Sequence, residues 1–120
     1  MNDTGIRDTG AFGPRAAPGR CAVAQLEEGV VIITLHGALD HAGAAAMGNE
    51  VRWAVTTAHR SVVIDCAGVG FVDSTGLRLL VEAESMAACQ SEHFVLHNVP
   101  RQLRNLLQIS GLDQSMTTAT

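Results

Sequence analysis

The chain contains no lysine; all eight of its basic residues are arginine. A P-loop needs a lysine to reach nucleotide phosphates, so that motif is excluded. Schiff-base catalysis, which needs an amine nucleophile, is excluded on the same ground. Cysteine is scarce: Cys21, Cys66 and Cys89 are odd in number and show no paired spacing. They read as reduced thiols, which supports neither a disulfide framework nor a zinc knuckle. Long hydrophobic runs are missing too. The longest strongly apolar run covers residues 30–35, whereas a membrane-spanning helix needs about 20 residues. The N-terminus lacks a charged-then-apolar signal pattern, so a cytoplasmic location without membrane insertion is expected. The formal net charge is −4. No basic cluster has aromatics interleaved, which weighs against nucleic acid as the main partner.

What is present suits one compact soluble domain: 120 residues, 47% hydrophobic and 17% charged. Residues 1–19 hold four Gly and two Pro with few large apolar side chains. Such a segment cannot bury enough surface to offset its ordering entropy, and it reads as a disordered N-terminal tail. Residues 21–26 alternate weakly, as an edge strand would, and residues 27–29 read as a turn. Residues 30–36 are rich in β-branched side chains and read as a strand that Gly37 breaks. Asp40 then offers a helix N-cap, since its short carboxylate accepts from free backbone amides. Met47, Val51, Ala54, Val55 and Ala58 follow at helical spacing. Residues 61–66 are continuously apolar around Val62, Val63 and Ile64, a pattern that suits a strand buried on both faces. After a glycine-bearing loop, Leu79, Leu80, Ala83, Met86 and Ala87 mark a second helix. Residues 94–99 form another strand candidate. Pro100 suits the first turn of a third helix, Leu103, Leu106 and Leu107 form its stripe, and Gly111 can cap its end. Residues 114–120 read as a loosely attached C-terminal tail, leaving residues 20–113 as the domain.

Strands alternating with helices predict right-handed crossovers and an α/β fold with a largely parallel sheet. In such sheets the functional loops gather beyond the carboxyl ends of the strands. Residues 37–41 and 68–76 are two such loops. If their strands are neighbours, Asp40 and Ser74 lie close together.

The segment "FVDSTGLRLL" carries the candidate chemistry. Its plain reading is a helix start, with Asp73 or Ser74 as cap and Gly76 allowing the helix close to the sheet. Its functional reading takes Ser74 as an exposed hydroxyl at a helix N-terminus. A phosphate there meets free amides and the positive end of the helix dipole, so the fold tolerates it. It also adds about −1.5 to −2 charges to the surface, enough to repel a partner. An acyl-transfer serine is the weaker reading. The nucleophile elbow needs glycine two residues before the serine, where Val72 stands. His36 and His41 are near this end of the sheet, but no third triad member suggests itself. Asp8-Thr9-Gly10 has the look of an aspartic-protease triplet but sits in the Gly/Pro tail without flanking strands. Asp65 closes a strand as a receiver-domain phosphoacceptor does, yet the lysine that fold requires is absent. His93 and His97 fall on one face of a strand, too far apart for easy shared metal ligation.

Together these residues resemble a family. "VVIDCAGVGFVDSTGL" is similar to the central signature of STAS domains, especially the anti-sigma-factor antagonists of bacterial partner-switching systems. "LHGALD" resembles the family's first loop, and "NVPRQLRNLLQISGL" its closing strand-and-helix segment. The resemblance spans about residues 20–113 and leaves the tail outside. It implies a single STAS-like α/β domain with a mixed, mostly parallel sheet and helices packed on one side. It implies a protein that is not an enzyme, needs no cofactor, and binds a kinase-like, ATP-binding anti-sigma factor. Phosphorylation at Ser74 would release that partner, and a serine/threonine phosphatase would reverse the modification. Asp40 and Asp73 match the acids flanking the phosphoacceptor, and Thr75, Gly76 and Arg78 complete the expected partner-binding segment. Ala38 replaces a common Glu and Arg78 a common Gly. A second possibility is a STAS subunit of a lipid-transport or sensory complex in which the serine is only structural. The acid–hydroxyl pair before Gly76 favours the switch.

Overall fold

Most elements follow from a local pattern; the course of two strands through their glycines and the last short strand do not. The structure, a computed structural model, describes residues 17–119. Strand β1 (Arg20–Gln25) runs antiparallel to β2 (Val30–Leu39), joined by a 3-10 turn at Glu27–Gly29. Then come α1 (His41–Thr57), β3 (Ser61–Val72), α2 (Ser74–Cys89), β4 (His93–His97), α3 (Arg101–Ser110) and β5 (Thr117–Ala119). The five strands lie side by side in chain order, and every pair after the first is parallel. Three crossovers that step the same way along a sheet, each right-handed, place their helices on the same face.

That geometry explains the core. Val31, Ile33 and Leu35 of β2, Val62, Ile64 and Cys66 of β3, and Phe94 and Leu96 of β4 point into it. Met47, Val51, Ala54 and Val55 of α1 meet them there, with Leu79, Leu80, Ala83 and Ala87 of α2 and Leu103 and Leu107 of α3. Burying each large aliphatic side chain contributes about 1.5–3 kcal/mol. The intervening residues Ile32, Val63 and Val95, side by side in register, are only half-buried. Thr34, Asp65 and His97 form the next row on the same open face.

The strand at residues 61–66 is therefore buried on one face, not two. A run of β-branched residues satisfies a one-sided sheet as well as a two-sided one, because only alternate members enter the core. Two other expectations change. Gly37 does not end β2: with φ +80 it sits in a bulged stretch, and the ladder continues through Gly37↔Val69 to Leu39↔Val72. A side chain at Gly37 would run into the backbone of Ala17 and Pro18. The same bulges carry β3 through Gly68 and Gly70 to Val72, where a loop over residues 68–76 is predicted. Bulges absorb extra residues while pairing continues, so glycine marks a bend here and not a strand end.

The C-terminal stretch read as a loose tail is attached. Met116 is buried, and Thr117–Ala119 pairs with β4, extended by the Asn98 N–H to Ala119 carbonyl bond of 2.9 Å. One apolar anchor among polar residues holds it. Of the predicted N-terminal tail, residues 1–16 lie outside the described residues, Asp8-Thr9-Gly10 among them. Ala17 accepts a 2.8 Å bond from the Ala38 N–H beside the end of β2. No helix among the described residues is long and apolar enough to cross a membrane.

The one-sided core gives a direct expectation. Val62→Thr puts a hydroxyl without a ready partner into the core and should cost about 1–3 kcal/mol. Val63→Thr, on the open face, should stay within about 0.5 kcal/mol of wild type. Urea unfolding of both variants checks this, and equal losses would contradict a single covered face.

Candidate functional site

Two identical steps stand side by side at the carboxyl end of the sheet. In the first, β2 ends at Leu39, Asp40 follows, and Gly43 comes three residues later. In the second, β3 ends at Val72, Asp73 follows, and Gly76 comes three residues later. Leu39 and Val72 are in register, so the steps are level. Asp40 caps α1 by accepting the Gly43 N–H at 2.7 Å, and Asp73 caps α2 by accepting the Gly76 N–H at 3.0 Å. Each cap satisfies one of the donors that a helix start leaves free and is worth about 0.5–2 kcal/mol.

The glycines are required by proximity. A Cβ at Gly76 would run into the carbonyl oxygen of Leu39, and one at Gly43 into that of Ala38. Both are backbone atoms that cannot swing aside. The Asp73 N–H also donates to Leu39 O at 3.2 Å. The first turn of α2 is thus pressed onto the last residue of β2, next to Asp40.

The structure brings Asp40, Asp73, Ser74, Thr75 and Gly76 together at this end, with Arg78 one turn further along α2. Ser74 is the first residue of α2 and is exposed; Thr75 is half-buried and Gly76 buried. Arg78 is exposed four residues beyond Ser74, on the same side of the helix. His41 holds the equivalent first position of α1 and is exposed as well. Asp73 takes up the amides of Gly76, through its carboxylate, and of Leu77, through its carbonyl. Among the described residues, the amides of Ser74 and Thr75 and the Ser74 hydroxyl bond to no acceptor. Phe71, 42% exposed, flanks the site from β3.

Sequence reasoning missed two features. The Asp-x-x-Gly step at residues 40–43 duplicates that at 73–76, a repeat visible once both are aligned on their aspartates. Gln102 of α3 bonds both atoms of its side-chain amide to Val72: Oε1 accepts the Val72 N–H at 3.0 Å and Nε2 donates to Val72 O at 3.2 Å. No periodicity announces a side chain that serves a backbone 30 positions away.

Shifted titrating groups lie elsewhere. The Ala67 N–H and the Asn98 amide hold the Asp65 carboxyl below its ordinary value on the open sheet face. Its stabilising contribution is present above the unfolded value, about 3.9, and is lost as pH falls through the lowered one. Burial pushes the Cys66 thiol up to about 12, with the Asp65 charge adding to it. Burial and the Glu50 carboxylate do the same for Cys21, also to about 12. Burial alone raises Glu84. Among the described residues no group of His, Cys, Asp and Glu side chains can hold a metal ion.

The fold agrees with the comparisons. The family profile described as "Mlab, STAS domain" matches residues 22–118, and the chain belongs to that STAS family. The chain is similar in fold to phosphorylated SpoIIAA, a Bacillus cell fate determinant, at 24% identity and a TM-score of 0.67, covering 84% of this chain and 92% of that one. An anti-sigma factor antagonist from Mycobacterium paratuberculosis matches at 22% identity and a TM-score of 0.75, covering 84% and 85%. The murine Slc26a9 anion transporter matches at 20% identity and a TM-score of 0.64, over 85% of this chain and 20% of the transporter.

Two substitutions test the geometry. Gly76→Ala should destabilise by at least the about 1–3 kcal/mol typical of overpacking, because the obstacle is backbone. Asp73→Ala should cost about 0.5–2 kcal/mol and Asp73→Asn much less, since Asn also caps. Thermal unfolding reads all three; a Gly76→Ala protein that melts like wild type would contradict the close approach.

Proposed function

We propose that this protein is an anti-sigma-factor antagonist in a bacterial partner-switching system. It binds a kinase-like, ATP-using anti-sigma factor while Ser74 is unmodified. The kinase moves a phosphoryl group from ATP to the Ser74 hydroxyl, the complex separates, and a serine/threonine phosphatase restores the free hydroxyl. In this reading the protein acts in the cytoplasm and is a substrate and binding module, not a catalyst.

The observation that carries the reading is the placement of Ser74. It is the exposed first residue of a helix whose cap, Asp73, already has its own partner. A phosphate added there leaves the cap intact and faces the positive end of the α2 dipole. The interaction is worth about 0.3–1 kcal/mol at an exposed site, so the fold has no reason to resist the charge. A partner docked on His41, Phe71, Thr75 and Arg78 meets that charge at close range. Like-charge contacts across an interface cost about several kcal/mol, which outweighs the local gain. Family membership and the fold shared with anti-sigma-factor antagonists support this choice.

A second reading has its own support. The family profile carries the name Mlab, and a fifth of an anion transporter shares the fold. On that reading the domain is a subunit of a larger lipid-transport or sensory assembly, and Ser74 only begins a helix.

Incubation with candidate kinase-like anti-sigma factors and ATP, followed by intact mass and phosphopeptide mapping, separates the two. One phosphate on Ser74 and none on Ser74→Ala is expected. Modification only at Thr75, or none with any such kinase, would sink the switch. Ser74→Asp should melt within a few degrees of wild type yet bind the kinase more weakly, while Ser74→Ala should bind and resist release. Asp40 is proposed to border the docked kinase as well as to cap α1. Asp40→Asn, which keeps the cap but loses the charge, should therefore be phosphorylated more slowly than wild type at nearly unchanged stability. A wild-type rate and affinity would reduce Asp40 to a plain cap.

A further inference from the structure

Strand β3 loses one neighbour before it ends. Its ladder with β4 stops at Asp65↔His97. Asn98, with φ +57, turns the chain away, and Pro100 leads it into α3. From Cys66 to Val72, β3 is paired with β2 alone. Side-chain amides stand at both ends of this open edge. The Asn98 amide donates to Asp65 Oδ1 at 3.2 Å, where the ladder stops. At the far end Gln102 accepts from and donates to the backbone of Val72.

A primary amide carries one carbonyl and N–H donors, the same groups a peptide unit offers. Gln102 is in effect a one-residue strand laid against Val72. Successive residues of a strand direct their backbone groups to opposite edges. Val72 therefore faces α3, while the Asp73 N–H faces β2 and reaches Leu39 O. The chain is gripped from one side at Val72 and from the other at Asp73. The next residue is Ser74.

We infer that Gln102 is a positioning residue for Ser74, setting the direction in which β3 hands over to α2 and so the place of the hydroxyl before a docked kinase. This rests on the reading of Ser74 as a phosphoacceptor. Gln102 does not touch the hydroxyl; it acts through Val72 and Asp73. Phosphoryl transfer depends on alignment of the attacking oxygen, and small misplacements lower the rate of the chemical step more than they weaken binding. Gln102 itself is exposed, so its loss leaves no cavity in the core.

The test uses the full chain and a kinase-like anti-sigma factor that phosphorylates it. Gln102→Met keeps the length and removes both bonds. Gln102→Glu keeps the acceptor for the Val72 N–H but sets a carboxylate oxygen against the Val72 carbonyl. Both variants should lower kcat for phosphorylation by about tenfold with KM within about twofold, and raise the share of phosphate on Thr75. The Val72 amide should exchange faster with solvent, while the melting temperature moves by only a few degrees. Wild-type kcat and Ser74 selectivity in variants whose Val72 amide exchanges faster would overturn the inference. So would a loss of rate that disappears on cooling below the onset of unfolding, since that is a stability effect. A wild-type chain that takes no phosphate at Ser74 overturns the phosphoacceptor reading and this inference with it; variants that match a phosphorylated wild type overturn this inference alone.

Discussion

The contact between α2 and the carbonyl of Leu39 sets the rest of the site. Leu39 O receives the Asp73 N–H, and the backbone of Gly76 lies directly against it. For that to occur, β2 and β3 must be parallel neighbours that end level. The bulges after Thr34 and Gly37 bring Leu39 opposite Val72. The residue at the third helical position must be glycine. Once these conditions hold, two aspartates cap two adjacent helices at the same end of the sheet, and two positive helix ends converge on one patch. Asp40, Asp73 and Ser74 come together because the backbone leaves them no other place.

This arrangement keeps the core apart from the surface proposed to carry the switch. The core lies under one face of the sheet and ends at Leu39 and Val72, both buried. Ser74 is two positions beyond, outside the core, on a helix whose cap is already satisfied. A charge placed on its exposed hydroxyl lies at the free-amide end of α2, on the same side of the helix as the exposed Arg78. Such a site changes what the surface attracts without changing what the core holds. A serine further along α2, at the buried Leu79 or Leu80, would couple the same charge to unfolding.

Much of this was legible in the sequence. Helical spacing located α1 and α2, and Met47, Val51, Ala54, Val55 and Ala58 are all buried as their periodicity requires. Asp40 was readable as a cap, Gly111 ends α3 in the left-handed conformation it suits, and "FVDSTGL" placed Ser74 at a helix start. The failures have physical causes. Gly37, Gly68 and Gly70 look like strand breaks, but pairing with a neighbour carries both strands through them, and pairing is not written locally. Val63 is as hydrophobic as Val62, so composition does not reveal which face is covered. β5 is three exposed residues held by Met116 and by β4, with too little pattern to announce a strand. Gln102 looks like any polar residue on the outer side of a helix, and its role appears only when Val72 is beside it.

The central claim is that Ser74 accepts a phosphate at the surface of an otherwise unchanged domain. The most direct measurement is a residue-by-residue comparison of backbone amide shifts and hydrogen exchange between the unmodified chain and one carrying phosphoserine installed at position 74 during synthesis. No kinase is needed for it. The account requires changes confined to residues 40–43 and 72–78 and to Gln102, with core amides such as those of Ile33, Ile64 and Leu96 as protected as before. Loss of protection across β2, β3 and β4, or shifts spread through the core, would contradict it.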